Sequence, residues 1–122
     1  MIEKEQVFVA IDSTEIAVGF IIISEKSSCA YIEEVDVLRE HGQKGLGKAL
    51  LERSFSWAQE RGFKKIFLST ATNVPWNAAM YARLGFTPIA ESAWSDEMRN
   101  IHAEEKARGL PVADRVFMEL LL

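Results

Sequence analysis

A glycine-rich stretch between a predicted strand and a predicted helix is the part of this sequence best suited to bind a ligand. Residues 41–51 read HGQKGLGKALL, residues 30–38 before them are rich in branched and apolar side chains, and an amphipathic pattern follows over residues 46–61. A helix start leaves backbone N–H groups without partners and carries roughly half a positive charge. Glycines at that place let a phosphate approach the bare backbone. The stretch therefore predicts a site for a phosphate or pyrophosphate group.

Two common phosphate-binding loops do not fit the spacing. Residues 42–48 match the pattern G-x-x-x-x-G-K, but Ala49 stands where that loop needs Ser or Thr to hold magnesium. The predicted strand at residues 66–70 also lacks the Asp at its end that would make the second magnesium contact. The dinucleotide pattern G-x-G-x-x-G fails because Leu50 occupies the position of the third glycine.

What remains resembles the acyl-CoA loop of the GNAT acyltransferase superfamily, usually written Gln/Arg-x-x-Gly-x-Gly/Ala. Residues 32–38 (IEEVDVL) resemble that family's central strand, and residues 74–86 (VPWNAAMYARLGF) resemble its later Asn…Tyr…Gly-Phe helix. Further on, RGLP at 108–111 and RVFM at 115–118 resemble the last turn and strand of one branch of the family. One departure is that Gly42 stands at the family's Gln/Arg position, with Gln43 one place late.

The resemblance implies a mixed α/β fold with a mostly antiparallel central sheet and flanking helices. It also implies acetyl-CoA as cosubstrate, no metal, and transfer of an acetyl group to a primary amine of a small molecule or a protein. The alternative is a non-catalytic CoA-binding or regulatory module of the same fold. The family normally begins with a strand and two helices, whereas this chain enters at the equivalent of the second strand by about residue 6, so we expect a short form.

Each chemical requirement of acetyl transfer has candidate residues. Backbone N–H groups of the turn would bind the pyrophosphate, with Lys44 or Lys48 adding positive charge. By resemblance, backbone groups at the end of the central strand would pair with the pantetheine arm, and an amide on the later helix would hydrogen-bond it. The predicted cofactor-binding residues are Val37, Leu38, Gln43, Lys44, Gly45, Leu46, Gly47, Lys48 and Asn77.

Two residues are predicted to move protons. Tyr81 matches the family tyrosine, and a phenol held close to the sulfur can protonate the departing thiolate, although core packing is the other interpretation. Glu33 is the preferred base, because a carboxylate can act through water, and Glu34 or a water molecule stays open as an alternative. Adjacent strand residues point to opposite faces, so only one of the two glutamates can enter a cleft unless a β-bulge resets the alternation. Both histidines have simpler interpretations: His41 as a turn residue and His102 as a surface residue.

Composition limits the class of protein. With 122 residues, 48% of them hydrophobic, the chain is expected to form one domain spanning residues 1–122. No apolar run reaches the ~20 residues of a membrane span, and the start MIEKE is too charged for a signal peptide, so we expect a cytoplasmic protein that does not bind membranes. The net charge of −4 argues against nucleic-acid binding, although residues 38–65 carry seven basic and three acidic side chains. The single Cys29 cannot form an internal disulfide.

Periodicity predicts the remaining elements. Strands are expected at residues 6–12, 16–24, 30–38, 64–72, 86–91 and 115–122, and helices at 46–61, at 95–108 and from Pro75 to Gly85. The first strands would leave an apolar sheet face, which predicts a homodimer, with the last helix folding over that face as the competing explanation. The residues expected on this face are Val7, Val9, Ile11, Ile21 and Ile23.

Overall fold

Strands and helices alternate along the chain, in agreement with the mixed α/β class expected from the sequence. The computed structural model describes residues 5–11, 13–26, 29–38, 45–72 and 75–122, without the side chains of residues 75–77. In these ranges the strands are β1 (Glu5–Ile11), β2 (Ala17–Lys26), β3 (Cys29–Val37), β4 (Lys65–Ala71), β5 (Thr87–Pro88) and β6 (Arg115–Leu121). The helices are α1 (Leu46–Glu60), α2 (Pro75–Arg83) and α3 (Asp96–Ala107), with short 3₁₀ turns at Glu91–Ala93 and Val112–Asp114.

The strands hydrogen-bond in the order β1-β2-β3-β4-β6-β5. The pairs β1–β2, β2–β3 and β5–β6 are antiparallel, which confirms the expected mostly antiparallel sheet. The chain divides into two compact units, an N-terminal unit of residues 1–66 with residue 122 and a C-terminal unit of residues 67–121. Each unit contains large side chains that are removed from water.

In the N-terminal unit, helix α1 covers one face of the β1–β2–β3 meander. Ile21 and Ile23 of β2 and Leu51 of α1 are fully buried there. A Cβ built on Gly19 would lie 2.9 Å from the Asp36 carbonyl oxygen and 3.4 Å from Leu50, so β2, β3 and α1 approach too closely at this point for a larger residue. The helix itself follows the predicted periodicity, because residues 50, 51, 54, 57 and 58 are its buried positions.

Strand β3 contains a β-bulge. Ile22 of β2 pairs with Glu34, but the next residue, Ile23, pairs with Ile32, so Glu33 is an extra residue that has no partner position on β2. A bulge interrupts the alternation of side chains between the two faces. Before the bulge Ile32 lies on the same face as Ile23, and beyond it Val35 and Val37 take that face, opposite Ile21 and Gly19.

The other face of the meander, which we call the distal face, points away from α1. Its residues are Val7, Val9, Phe20, Ile22, Glu34 and Asp36, as the strand register shows. The exposed fractions of Val7, Val9 and Ile11 are 49%, 50% and 61%, which agrees with the apolar surface expected from the sequence. Ile21 and Ile23 were wrongly placed on that surface. Both are 0% exposed, because they lie on the face that α1 covers.

The C-terminal unit begins its final hairpin with a shorter strand than the sequence predicted. Residues 86–91 were expected to be extended, but β5 contains only Thr87 and Pro88. Pro88 is paired with Met118, and because the next residue bonds to β6, the side of Pro88 that lacks an N–H faces away from that strand. The N–H of Ile89 donates one further bond to the Phe117 carbonyl at 2.8 Å, and a 3₁₀ turn follows.

Helix α3 begins at the cap that its sequence predicts. The Ser95 hydroxyl accepts a hydrogen bond from the Met98 N–H at 3.2 Å, and two acidic residues occupy the first turn. The buried carboxylate of Glu105 accepts hydrogen bonds from the Ser69 hydroxyl at 2.8 Å and from Arg115 Nε at 2.9 Å. These bonds tie α3 to β4 and β6. Removing one partner of a buried ion pair leaves an uncompensated charge and is strongly destabilising. We therefore expect a substitution at any one of these three side chains to lower the stability of the protein.

Candidate cofactor and catalytic site

The start of helix α1 has the geometry of an anion site. Gly45 is the N-cap residue, with φ of 75° and no side-chain cap, and its carbonyl accepts the bond from Ala49 N–H at 3.0 Å. The N–H groups of the first turn, at Leu46, Gly47 and Lys48, therefore have no carbonyl within the helix to bond. A Cβ on Gly45 would meet nothing within 4 Å among the described residues, so in this part of the structure a ligand group has room to approach the backbone.

Charge at this helix start also favours an anion. The first turn of α1 contains no acidic residue, and Lys48 is exposed to solvent. Within the first turn, therefore, no side chain opposes the positive end of the helix dipole. Gln43 and Lys44, also predicted to bind the cofactor, lie outside the residues that the structure describes. The described part of the turn fits a phosphate group, on the geometry and charge of residues 45–48.

The last residues of β3 differ in the availability of their backbone groups. Leu38 donates its N–H to the Val18 carbonyl at 2.7 Å, so this N–H is used within the sheet. Neighbouring residues of an antiparallel strand turn their N–H and C=O groups to opposite sides. Val37, which is paired with Gly19, therefore directs its N–H and C=O away from β2. Of the two predicted backbone contacts to a pantetheine arm, the one at Val37 has the suitable direction.

Tyr81 lies in an apolar environment on helix α2. Its side chain is 6% exposed, and its ring packs edge-on against Phe86, with the ring centres 5.7 Å apart. Burial raises the pKa of the Tyr81 phenol above its ordinary value of 10.0, because the charged phenolate loses hydration. The hydroxyl is therefore protonated at neutral pH, which is the state that a proton donor needs. Asn77 lies one turn earlier on α2, and its side chain is outside the described part of the structure.

The bulge in β3 brings two glutamates to one face. Glu33 is the extra residue and Glu34 pairs with Ile22, so both follow Ile32 on the distal side of the meander, and both are exposed. Strict alternation would have separated them. Asp36 of the same strand also lies on this face. The distal face thus carries three carboxylates next to the apolar side chains of β1 and β2.

A cavity of about 520 Å³ opens on the distal face, and sequence reasoning did not identify it. Val9, Phe20 and Leu38 are among its walls, and Asp36 is the ionisable residue in its lining. Its size falls within the ~300–1,000 Å³ of small-molecule sites in proteins. The alternating apolar residues of β1 and β2 indicate an apolar surface in the sequence. The bulge in β3 determines the pairing that places Asp36 beside that surface, and the sequence pattern does not show the bulge.

The predicted site residues are divided between the two units. Glu33, Val37, Leu38 and residues 45–48 belong to the N-terminal unit, and Asn77 and Tyr81 belong to the C-terminal unit. Among the described residues, no group of three or more His, Cys, Asp or Glu side chains is arranged to hold a metal ion. No helix in the described ranges is both long and apolar enough to cross a membrane.

Several solved acetyltransferases share this fold. An acetyltransferase of the GNAT family from Staphylococcus aureus Mu50 has a TM-score of 0.78 and 19% identity, covering 97% of this chain and 68% of that chain. The PaiA N-acetyltransferase of Thermoplasma acidophilum, in complex with coenzyme A, has a TM-score of 0.73 and 15% identity, covering 97% of this chain and 61% of that chain. The ribosomal-protein-S18-alanine N-acetyltransferase of Escherichia coli has a TM-score of 0.73 and 18% identity, covering 99% and 71%.

At these identities the likeness concerns the fold, and this chain spans 61% to 71% of the length of the three proteins. The sequence adds independent support, since the model of the acetyltransferase (GNAT) family matches residues 1–86. That match includes the glycine turn, the bulged strand and the helix that carries Tyr81. The resemblance found in the motifs is therefore confirmed, and the chain belongs to the acetyltransferase (GNAT) family.

Proposed function

We propose that this protein transfers an acetyl group from acetyl-CoA to a primary amine of a small molecule or a protein. The observation that carries the proposal is the uncapped start of α1 at Gly45, which offers free N–H groups, open space and no acidic residue to a phosphate. Two of the structurally similar proteins are named as N-acetyltransferases, and one of them is in complex with coenzyme A. Acetyl-CoA supplies the acetyl group already activated as a thioester.

We propose the following roles for the residues of this chain. The N–H groups in the first turn of α1 hold the pyrophosphate, and the side chains of Lys44 and Lys48 add positive charge. The backbone of Val37 orients the pantetheine arm, with Leu38 and the Asn77 amide beside it as the family resemblance implies. Glu33 receives the proton of the ammonium group, directly or through water, and Tyr81 gives a proton at the sulfur. No metal is required by any of these roles.

The negative charge of the distal face favours an amine as the acceptor. An alkylammonium ion is attracted to the carboxylates of Glu33, Glu34 and Asp36, which share the distal face. The cavity beside them has apolar walls, so it suits an amine attached to an apolar segment.

The phosphate site can be tested with a pair of glycine variants. Gly45→Asp places a carboxylate at the start of α1, where the phosphate must approach, so CoA affinity measured by calorimetry without magnesium should fall by about ten-fold or more. Gly62→Asp is the matched control, because Gly62 has nearly the same backbone angle, φ of 80°, and equally open surroundings at the other end of the helix. Equal CoA affinity of the Gly45 variant and the wild type would refute the proposed cradle.

The role of Tyr81 separates an enzyme from a CoA-binding module. Tyr81→Phe keeps the ring that packs on Phe86 and removes only the hydroxyl. We expect unchanged CoA affinity and turnover lowered by roughly ten-fold or more, because only the transition state loses an interaction. Tyr31→Phe is the control, since Tyr31 is the other tyrosine of the chain. Because burial raises the pKa of Tyr81, loss of this proton should not limit turnover below about pH 10.

Wild-type protein that binds CoA tightly but releases no thiol with a broad panel of primary amines would support the alternative function. It would then be a non-catalytic CoA-binding or regulatory module.

The proposed base can be distinguished from its neighbour on the same face. Glu33→Gln should lower kcat/KM by about ten-fold or more and remove the acidic limb of the pH–rate profile, while CoA affinity stays the same. Glu34→Gln removes a carboxylate of equal charge from the next position and should retain most of the activity. If both variants keep the wild-type profile, a water molecule is the base and Glu33 has no catalytic role.

We also propose that a second copy of the chain covers the apolar surface of β1, at Val7, Val9 and Ile11, and leaves the carboxylates of β3 in water. Val7, Val9 and Ile11 are about half exposed or more, and an apolar sheet surface of this kind favours association. A second chain would also close the cavity beside Asp36. Sedimentation at micromolar concentration should show a dimer that Val9→Asp weakens and that Ala103→Asp, an exposed change on α3, leaves intact. A wild-type monomer that does not bind apolar dyes would exclude the dimer.

A further inference from the structure

Strand β1 is the outer strand at one end of the sheet. It hydrogen-bonds to β2 on one side, and among the described strands none lies on its other side. This free edge is seven residues long, Glu5–Ile11. An edge strand presents a row of backbone N–H and C=O groups to which a further strand can bond.

The sequence of β1 offers little protection against such pairing. Proteins commonly shield an edge strand with proline, with charged side chains or with a bulge. Residues 6–10 (QVFVA) contain no proline and no charged side chain. The register shift between β1 and β2 lies beyond them, between Ala10 and Ile11. Residues 6–10 therefore form a regular, uncharged edge.

The hydrogen bonds of β2 show which groups of β1 are used within the sheet. The Leu38 N–H donates to the Val18 carbonyl at 2.7 Å, so Val18 turns its backbone groups toward β3. Neighbouring residues of a strand turn these groups to opposite sides, so Gly19 turns its own toward β1. Gly19 is paired with Ala10. The backbone groups of Ala10 are therefore bonded to β2.

Alternation along β1 then identifies the groups at the free edge. Phe8 and Gln6 are bonded to β2 like Ala10, whereas Val7 and Val9 direct their N–H and C=O groups away from it. One side-chain contact agrees with this direction, because Gln6 Nε2 donates to the Val7 carbonyl at 3.3 Å. Val7 and Val9 thus expose backbone groups at the edge, and their side chains lie on the distal face.

We propose that β1 pairs in antiparallel fashion with β1 of a second copy of this chain, about a twofold axis at Phe8, so that two sheets become one. In this register Val7 lies opposite Val9 of the partner subunit, and the twofold repeats the pair. The two pairs exchange about four backbone hydrogen bonds, all from groups that β2 does not use. The inference rests on the proposed association at β1 and gives its geometry, and it does not depend on acetyl transfer.

A twofold axis at Phe8 uses the whole regular edge. An axis at Val9 would bring the irregularity at Ala10 and Ile11 into the pairing, and an axis at Val7 would place Glu5 opposite Val9 of the partner subunit. Identical strands in antiparallel pairing form an isologous interface, in which each copy presents the same residues. The edge of β1 is therefore complementary to its own copy.

The side chains on both faces suit this register. On the distal face, Val7 contacts Val9 of the partner subunit, which covers part of the exposed apolar surface. On the α1 face, Phe8 meets Phe8 of the partner subunit at a position without mutual hydrogen bonds, where side chains approach most closely. The Arg53 guanidinium lies 4.6 Å from the centre of the Phe8 ring, so each ring is already in contact with α1. Glu5 lies away from the axis and does not meet its own copy.

Hydrogen exchange distinguishes this pairing from other ways of forming a dimer. In the wild-type dimer the Val7 amide should exchange about ten-fold more slowly, or better, than in the Val9→Asp variant diluted to the monomer. The Phe8 amide, bonded to β2, should stay protected in both and is the internal control. A wild-type dimer whose Val7 amide exchanges as in the monomer would overturn the pairing and keep the dimer. A wild-type monomer would overturn both, and neither result concerns acetyl transfer.

A proline variant removes one of the outward N–H groups. Proline is tolerated in an edge strand where the N–H side faces solvent, so Val9→Pro should leave the ladder to β2 intact and abolish the dimer in sedimentation. Val9→Thr keeps the N–H and the branched shape, and it should remain dimeric. Thermal unfolding confirms that both variants are folded. A dimer that survives Val9→Pro would contradict the pairing.

Disulfide cross-linking tests the register, in a Cys29→Ser background that removes the native free thiol. The two copies of position 8 should have Cα atoms about 4.5 Å apart, a distance that a disulfide spans. Mild oxidation of Phe8→Cys should therefore give a covalent dimer. Gln6→Cys is the matched control, because it lies on the same face away from the axis and should stay uncross-linked. Equal cross-linking of the two variants, or none in either, would overturn this register.

Discussion

One extra residue in β3 determines what the N-terminal unit can bury and what it can expose. If Glu33 were a regular strand residue rather than a bulge, the alternation that buries Ala30 and Ile32 would carry Glu34 and Asp36 onto the face that α1 covers. Carboxylates there would be desolvated beside Ile21 and Leu50, at a cost of several kcal/mol for each ion. The bulge exchanges the faces, so Val35 and Val37 meet the helix and the acids meet water. Strand β3 can therefore contribute apolar side chains to the core both before and beyond the bulge, while its acidic side chains face solvent.

The bulge also links the sheet to the start of α1. Because the register beyond it is fixed, Val37 is paired with Gly19 and turns its N–H and C=O away from β2, whereas Leu38 is bonded to Val18. The close approach of Gly19 to Asp36, Val37 and Leu50 holds this end of β3 against the helix. The strand end and the uncapped turn at Gly45 therefore belong to one packed unit. A ligand that uses both would be bound by backbone groups whose positions depend on buried side chains rather than on flexible ones.

The elements that the sequence predicted well are those that local chemistry determines. The periodicity of residues 46–61 gave α1 to within one residue, and α3, expected at residues 95–108, is capped by Ser95 and ends at Ala107. The GNAT resemblance rested on short motifs and is confirmed by the family match over residues 1–86. The roles of Tyr81, Glu33 and the CoA-binding residues remain predictions, because they depend on a bound substrate.

The errors arose where distant parts of the chain meet. Ile21 and Ile23 lie in a strand without alternation, so nothing local indicates which side α1 covers. His102, expected at the surface, is half-buried, and its ring centre lies 4.9 Å from that of Trp94, eight positions earlier in the chain. Residues 86–91 have a strand-like composition, but the last bond to β6 is that of the Ile89 N–H, and a 3₁₀ turn begins at Glu91. Tertiary contacts decide such positions, and single-sequence patterns do not contain them.

The two proposed proton-transfer groups lie in opposite environments, and this contrast has a chemical consequence. Tyr81 is buried against Phe86, and burial raises the pKa of its phenol. A raised pKa makes the phenol a weaker proton donor to the thiolate than a phenol in water. The free-energy gap is smaller in an apolar site, because a desolvated thiolate is also a stronger base. Glu33 and Glu34 are exposed on the distal face and keep their water, so a proton taken from an amine can leave to solvent. A buried proton donor and a hydrated base suit the proposed acetyl transfer, because the donor can protonate the departing thiolate while the proton taken from the ammonium group leaves to solvent.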